Sequence, residues 1–204
     1  MMRKSVFWQN SFNMRLRRRK EVKNMRHTAE NTQAIIVDYQ ERLMPVIYEK
    51  EALEKNSVIL IKGLKALGIP LTLTQQYTKG IGMTIPSIFE AAGTEEYMDK
   101  TVFSCYGDEA VKQRVDSLGK KTVIVCGIEA HICVLQTCID LKEAGYEPVL
   151  VVDCISSRKL SDKKIAVKRA VQEGITVTTY ESILFELTKK AGSDTFKTIS
   201  KLIK

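Results

Sequence analysis

Thr122-Val-Ile-Val-Cys-Gly127-Ile-Glu-Ala-His-Ile-Cys133-Val134 is the stretch that decides the fold. Thr122 leads a run of β-branched residues, Val123, Ile124 and Val125, that reads as a buried strand ended by Gly127. Apolar residues then recur at helical spacing, at Val134, Leu135, Cys138, Leu141 and Ala144, and Gly145 stops them. Cys133 therefore sits at a strand-to-helix junction, near the first turn of the helix. Free backbone N–H groups and the positive end of the helix dipole favour a thiolate there. In a parallel α/β sheet that junction lies at the carboxyl edge of the strands, where ligands bind. Position alone leaves two readings open: a reactive thiol, or the small buried hydrophobe that most cysteines are.

Outward from this unit the same alternation repeats. Residues 34–37, 71–74, 148–152 and 176–179 read as further strands. Amphipathic helices are expected at residues 52–67, 109–118 and 162–173, each closed by a glycine (Gly68, Gly119, Gly174), and at 182–189 and 194–204. Residues 75–106, with Gly80, Gly82, Pro86 and Gly93, read as a long irregular segment. Strand and helix in alternation with short joints imply βαβ units and a parallel sheet covered on both faces. There is no internal repeat and no linker after residue 30. The chain reads as one domain over residues 31–204, preceded by a basic extension over 1–30.

The 204 residues suffice for one sizeable core. No apolar run approaches 18 residues, so no transmembrane helix and no membrane partner is expected. The five cysteines, Cys105, Cys126, Cys133, Cys138 and Cys154, are odd in number and form no C-x-x-C pair. A disulfide framework or structural zinc site is therefore disfavoured, and a reducing compartment is the natural setting.

The net charge of +8 belongs to the extension. Residues 1–30 hold nine Lys/Arg and two acids, whereas residues 31–204 hold 23 Lys/Arg and 22 Asp/Glu. The domain is nearly neutral and offers no global field for nucleic acid. Residues 1–20 carry seven Lys/Arg and no acid, with Trp8, Phe12 and Leu16 at helical spacing. That pattern is expected of a mitochondrial presequence. The run Arg17 to Lys20 equally fits a nuclear or nucleic-acid signal. The third reading is a solvated extension without an address, on a cytoplasmic chain. A secretory signal is disfavoured, because no apolar segment follows the charges.

Three polar residues stand out near strand ends. Asp38 directly follows residues 34–37, Lys100 precedes the apolar pair Val102-Phe103, and Cys133 follows the central strand. Singly each is unremarkable: Asp38 reads as a turn cap and Lys100 as a surface charge. Together, Asp38-Tyr-Gln40, Lys100-Thr-Val-Phe103-Ser104 and Gly127-Ile-Glu-Ala-His-Ile-Cys133-Val134 resemble the isochorismatase-like cysteine hydrolases, the superfamily of nicotinamidases and carbamoylsarcosine amidohydrolases. Thr74-Gln-Gln-Tyr77, Val152-Asp-Cys154, Ser156-Ser157-Arg158 and Thr178-Thr179-Tyr-Glu181 extend the resemblance across roughly residues 33–190. Gly-Ile-Glu-Ala-His before the cysteine is similar to the isochorismatase domain-containing branch.

The resemblance implies a three-layer α/β/α sandwich around a mostly parallel, six-stranded Rossmann-like sheet, with Asp38, Lys100 and Cys133 meeting at its carboxyl edge. It implies Cys133 as nucleophile, Asp38 as the group that takes the thiol proton and passes it to the leaving group, and Lys100 as charge stabiliser. It further implies a cis peptide at Ile128–Glu129 and an oxyanion site formed by the N–H groups of Glu129 and Cys133. One such donor can contribute about 3 kcal/mol to the transition state. Gln40, Gln75, Tyr77 and His131 are candidate pocket residues; the alternative is that the first three satisfy loop backbone and that His131 is a structural hydrogen-bond partner.

Cys133 argues against the vinyl-ether cleavage of true isochorismatases, which lack it. Nicotinamidases bind a metal through a His-rich cluster, and this chain has only His27 and His131, so no metal and no cofactor is expected. The leading expectation is a metal-independent cysteine hydrolase of a small amide or related C–N bond, with a small-molecule substrate and a homo-oligomeric assembly. The alternatives are a nucleic-acid-associated protein on the same fold, RNA-binding or nuclease-like, and a catalytically silent scaffold.

Overall fold

The computed structural model describes residues 26–204. Most of the expected basic extension, and with it the presequence and signal readings, lies outside the described residues. Six strands form one parallel sheet: β1 (Thr32–Val37), β2 (Leu71–Gln76), β3 (Met98–Lys100), β4 (Thr122–Ile128), β5 (Glu147–Ser156) and β6 (Thr176–Thr178). Their order is β3-β2-β1-β4-β5-β6. The winding reverses between β1 and β4, and such a switch point opens a crevice at the carboxyl ends of the two strands. Asp38 follows β1 and Cys133 follows β4, so the topology delivers both to that crevice.

The helices are α1 (Lys50–Ala66), α2 (Thr78–Ile81), α3 (Pro86–Ala92), α4 (Glu109–Ser117), α5 (Leu135–Glu143), α6 (Leu160–Gln172), α7 (Tyr180–Thr188) and α8 (Asp194–Ile203). Successive strand residues feed opposite layers, as a period of two requires. Ala34, Ile36, Ile124 and Cys126 pack with Leu60 and Leu64 of α1, Ile88 of α3, Leu184 of α7 and Ile199 of α8. Ile35, Val37, Val123 and Val125 pack with Val111 and Val115 of α4, Leu135 and Leu141 of α5 and Ala166 of α6. This is the three-layer sandwich expected from sequence. No helix of the described residues is long and apolar enough to cross a membrane.

Gly127 makes the crevice possible. It adopts φ +137°, and a Cβ there would lie 2.2 Å from the Val37 carbonyl oxygen. Only glycine lets β4 approach β1 this closely at the end of the ladder.

The segment 75–106 is more ordered than its sequence suggests. It holds α2, α3 and the edge strand β3, which pairs Gln75 with Asp99 and Gln76 with Lys100. The central helix also starts later than the apolar spacing implies. Ala130–Val134 forms a π-helical turn, and α5 begins only at Leu135. Asp153 lies inside β5, and its carboxylate accepts the Tyr180 N–H that opens α7, at 2.9 Å.

Candidate active site

Asp38 leaves β1 in the left-handed region, with φ +55°. Asp tolerates this conformation better than most residues, and single strained positions of this kind concentrate at functional sites. The turn aims its side chain into the crevice, where it is entirely buried. Lys100 Nζ lies 2.8 Å from Asp38 Oδ2, with no solvent access to either side chain. The sequence reading of Lys100 as an ordinary surface charge is thus set aside: its place at the end of β3, beside Gln76, draws it inward.

The ammonium is saturated. Besides Asp38 it donates to Gln76 Oε1 at 2.6 Å and to the carbonyls of Val102 (3.3 Å) and Phe103 (3.2 Å). Three N–H donors are all a lysine has, so Lys100 acts as a fixed positive charge rather than as a donor to substrate. Asp38 is held from its other side by the Thr74 hydroxyl, which donates to Oδ1 at 2.8 Å.

Cys133 occupies the π-helical turn, a geometry frequent at functional sites. It is 7% exposed, whereas Cys105, Cys126, Cys138 and Cys154 are 0% exposed. Among the five cysteines it alone keeps any exposure. The Asp38 and Lys100 charges both act on its thiol. Burial and then the Asp38 charge push the Cys133 thiol up to about 12, against the pull of Lys100. Desolvation here opposes the pull of the helix terminus toward a thiolate. Burial likewise raises Asp38, with Lys100, Thr74 and Cys133 opposing, which makes its carboxylate a stronger proton acceptor than a solvated one.

The Ile128–Glu129 peptide bond is cis. Glu129 pairs with Arg158, whose Nε donates to Oε2 at 3.2 Å and lies 2.9 Å from Oε1. His131 Nδ1 lies 2.9 Å from Ser157 Oγ, and its Nε2 lies 4.0 Å from Asp162 Oδ2. His131 is therefore tied to the start of α6 beside the cysteine, with a quarter of its side chain exposed.

The pocket candidates divide. Gln40 is buried and bonds the Gln76 backbone on both sides, accepting from its N–H at 2.7 Å and donating to its C=O at 3.1 Å. Gln75 is also buried, donating to Thr84 Oγ1 and accepting from Thr78 Oγ1. Both amides brace loops. Tyr77 is half exposed, at the carboxyl end of β2. The residues that sequence reasoning passed over are Thr74 and Gln76, the partners of Asp38 and Lys100. Strand periodicity marks them, since both lie on the face of β2 opposite to Gln75. Among the described residues no three or more His, Cys, Asp or Glu side chains come together as a metal site.

Comparison with known proteins places the chain in a family. The isochorismatase domain matches residues 8–182. Isochorismatase domain-containing protein 2 of Danio rerio is 37% identical over 170 residues, covering 83% of this chain and 85% of that protein. The secreted isochorismatase effector Isc1 of Phytophthora sojae is 34% identical over 173 residues, covering 83% and 82%. Among solved structures, MAR1 ribonuclease from Caenorhabditis elegans superposes with a TM-score of 0.81 at 35% identity, covering 87% of this chain and 92% of that one. Sequence and fold agree across most of the chain, which belongs to the isochorismatase family and has the α/β fold of its hydrolases.

Proposed function

We propose that the chain is a metal-independent cysteine hydrolase of small amides or related C–N bonds. The observation that carries this reading is the placement of Asp38: one carboxylate, locked by a buried lysine, carries the charge that acts on the thiol of Cys133, the most exposed of the cysteines. As Cys133 Sγ attacks the carbonyl carbon, Asp38 takes the thiol proton. The oxyanion falls to the N–H groups of Glu129 and Cys133. Asp38 then gives its proton to the leaving nitrogen, the C–N bond breaks, and a thioester remains on Cys133. Water attacks the thioester with Asp38 again as base, and the thiol is restored. Lys100 keeps Asp38 charged between steps.

The test is ammonia release from small primary amides and N-carbamoyl compounds. Cys133→Ala should abolish turnover while leaving the thermal midpoint intact. Retained turnover in Cys133→Ala overturns the reading.

A second reading is a nuclease, favoured by the name of the C. elegans structure. It predicts cleavage of a single-stranded RNA oligomer that weakens steeply with salt and survives Cys133→Ala. Because the described domain lacks a basic surplus, the amide reading has the stronger support.

A further inference from the structure

A second thiol lies against this site. Cys105 opens a turn just after Lys100, and its Sγ is 3.5 Å from Thr74 Oγ1, the hydroxyl that donates to Asp38. The Cys105 N–H donates to Thr137 Oγ1 at 2.8 Å, and Thr137 Oγ1 donates to the Cys133 carbonyl at 2.7 Å. One threonine thus clamps the two cysteine backbones, two hydrogen bonds apart. Both side chains belong to the same core layer. Each thiol also feels the Asp38 and Lys100 charges. Cys126 and Cys154 belong to the opposite layer. A disulfide needs Cα atoms about 4.4–6.8 Å apart, the condition that a Cys105–Cys133 bridge must meet.

We propose that Cys105 is the resolving thiol of Cys133, and that the pair forms a reversible disulfide when the site meets a hydroperoxide. Cys133 Sγ passes its proton to Asp38 and attacks the terminal peroxide oxygen. The O–O bond breaks, the alcohol leaves with the Asp38 proton, and Cys133 holds a sulfenic acid. Cys105 Sγ then attacks the Cys133 sulfur, its proton moving through Thr74 toward Asp38. The S–O bond breaks and water leaves with that proton. Two thiols have reduced one hydroperoxide to an alcohol and water. The bridge blocks hydrolysis and spares Cys133 from irreversible oxidation to the sulfinic acid. A small dithiol restores it.

This inference shares with the proposed function the need for a nucleophilic Cys133. The test is treatment of the full chain with hydrogen peroxide, followed by intact mass and peptide mapping. The expected product lacks two hydrogens, maps to a Cys105–Cys133 crosslink and reverts with dithiothreitol. In Cys105→Ser the expected product is Cys133 with two added oxygens, which dithiothreitol leaves unchanged. A wild type that gains oxygens without a crosslink, a wild type that does not react, or a bridge from Cys133 to Cys138 overturns the proposal. Iodoacetamide separates the two readings. If Cys133 alkylates but never bridges, this inference falls and the hydrolase reading stands. If Cys133 does neither, both fall.

Discussion

Lys100 Nζ and Asp38 Oδ2 form a 2.8 Å ion pair with no solvent access to either partner. Such a pair costs desolvation, and removing one partner typically costs about 3–5 kcal/mol because the other charge is stranded. In Lys100→Met, Asp38 escapes by taking a proton. Burial already raises it above its ordinary 3.8, and losing Lys100 raises it further. A raised acid stabilises the fold below its unfolded value and loses that contribution as pH rises through the folded one. The stability gap between wild type and Lys100→Met should therefore be wide at pH 8 and shrink toward pH 5 in urea titrations. A gap independent of pH would show that Asp38 is not the stranded charge. Turnover at neutral pH should fall about 10²–10⁴-fold, the usual worth of a positioned base.

The Cys133 thiol carries the opposite dependence on the same pair. Burial and then Asp38 hold it up at about 12, and Lys100 pulls it down. Iodoacetamide alkylation of the wild type should still accelerate above pH 10. Asp38→Asn removes the repelling charge and should move the profile to lower pH, even as turnover is lost. Lys100→Ala should move it higher. A wild-type profile that levels off near ~8.5, as for a free thiol, contradicts this arrangement.

How much of this site was legible in sequence depends on which residues announce themselves. Val123, Ile124 and Val125 mark a buried strand by composition, and the residues that end at glycines mark helices by periodicity. β3 could not be read this way. Met98-Asp-Lys100 has no apolar run, and it becomes a strand only by pairing with Gln75 and Gln76. Taken singly, Lys100 therefore reads as surface, and only the family resemblance assigns it to the site, because the acidic residues before it hide a register known only from the folded sheet. The same register separates Gln76, on the face of Thr74 and Lys100, from Gln75, which points to the other layer. The π-helical turn at Ala130–Val134 was hidden for another reason. Its wider turn breaks the 3.6-residue spacing, so apolar periodicity marks the helix from Val134 but not the turn that precedes it.

The buried thiols make the fold sensitive to alkali. Burial pushes Cys126 up to about 12 and Cys105 up to about 11, from an ordinary 9.0. Above pH 9.0 the unfolded chain releases these protons while the folded chain keeps them. Unfolding free energy should then fall with pH, by about 1.4 kcal/mol per pH unit for each such thiol, until the folded value is reached. Cys126→Ala will lower stability overall through the cavity it leaves. Its distinguishing mark is a shallower decline between pH 9 and 11, by that one thiol's share. Parallel declines in the two proteins would remove Cys126 from the account.

Gly127 joins fold to chemistry, and its replacement should break both. At φ +137° a side chain is strained whatever the space, and an added Cβ would sit 2.2 Å from the Val37 carbonyl oxygen and 2.6 Å from Val37 Cβ. Those atoms belong to the last residue of β1, directly before Asp38. To accept Ala, β4 must withdraw from β1, and the residues that follow each strand, Cys133 and Asp38, part with them. Backbone strain of this kind costs about 1–3 kcal/mol, and the clash with a buried strand adds to it. A total loss above about 4 kcal/mol would place Gly127→Ala among the exceptional substitutions. If the variant folds, its turnover should fall further than its stability explains, because the thiol has lost its base. The checks are a urea midpoint and the iodoacetamide profile of Cys133, which should lose its dependence on Asp38. A variant with wild-type stability and turnover would show that the β1–β4 approach is not what places the pair.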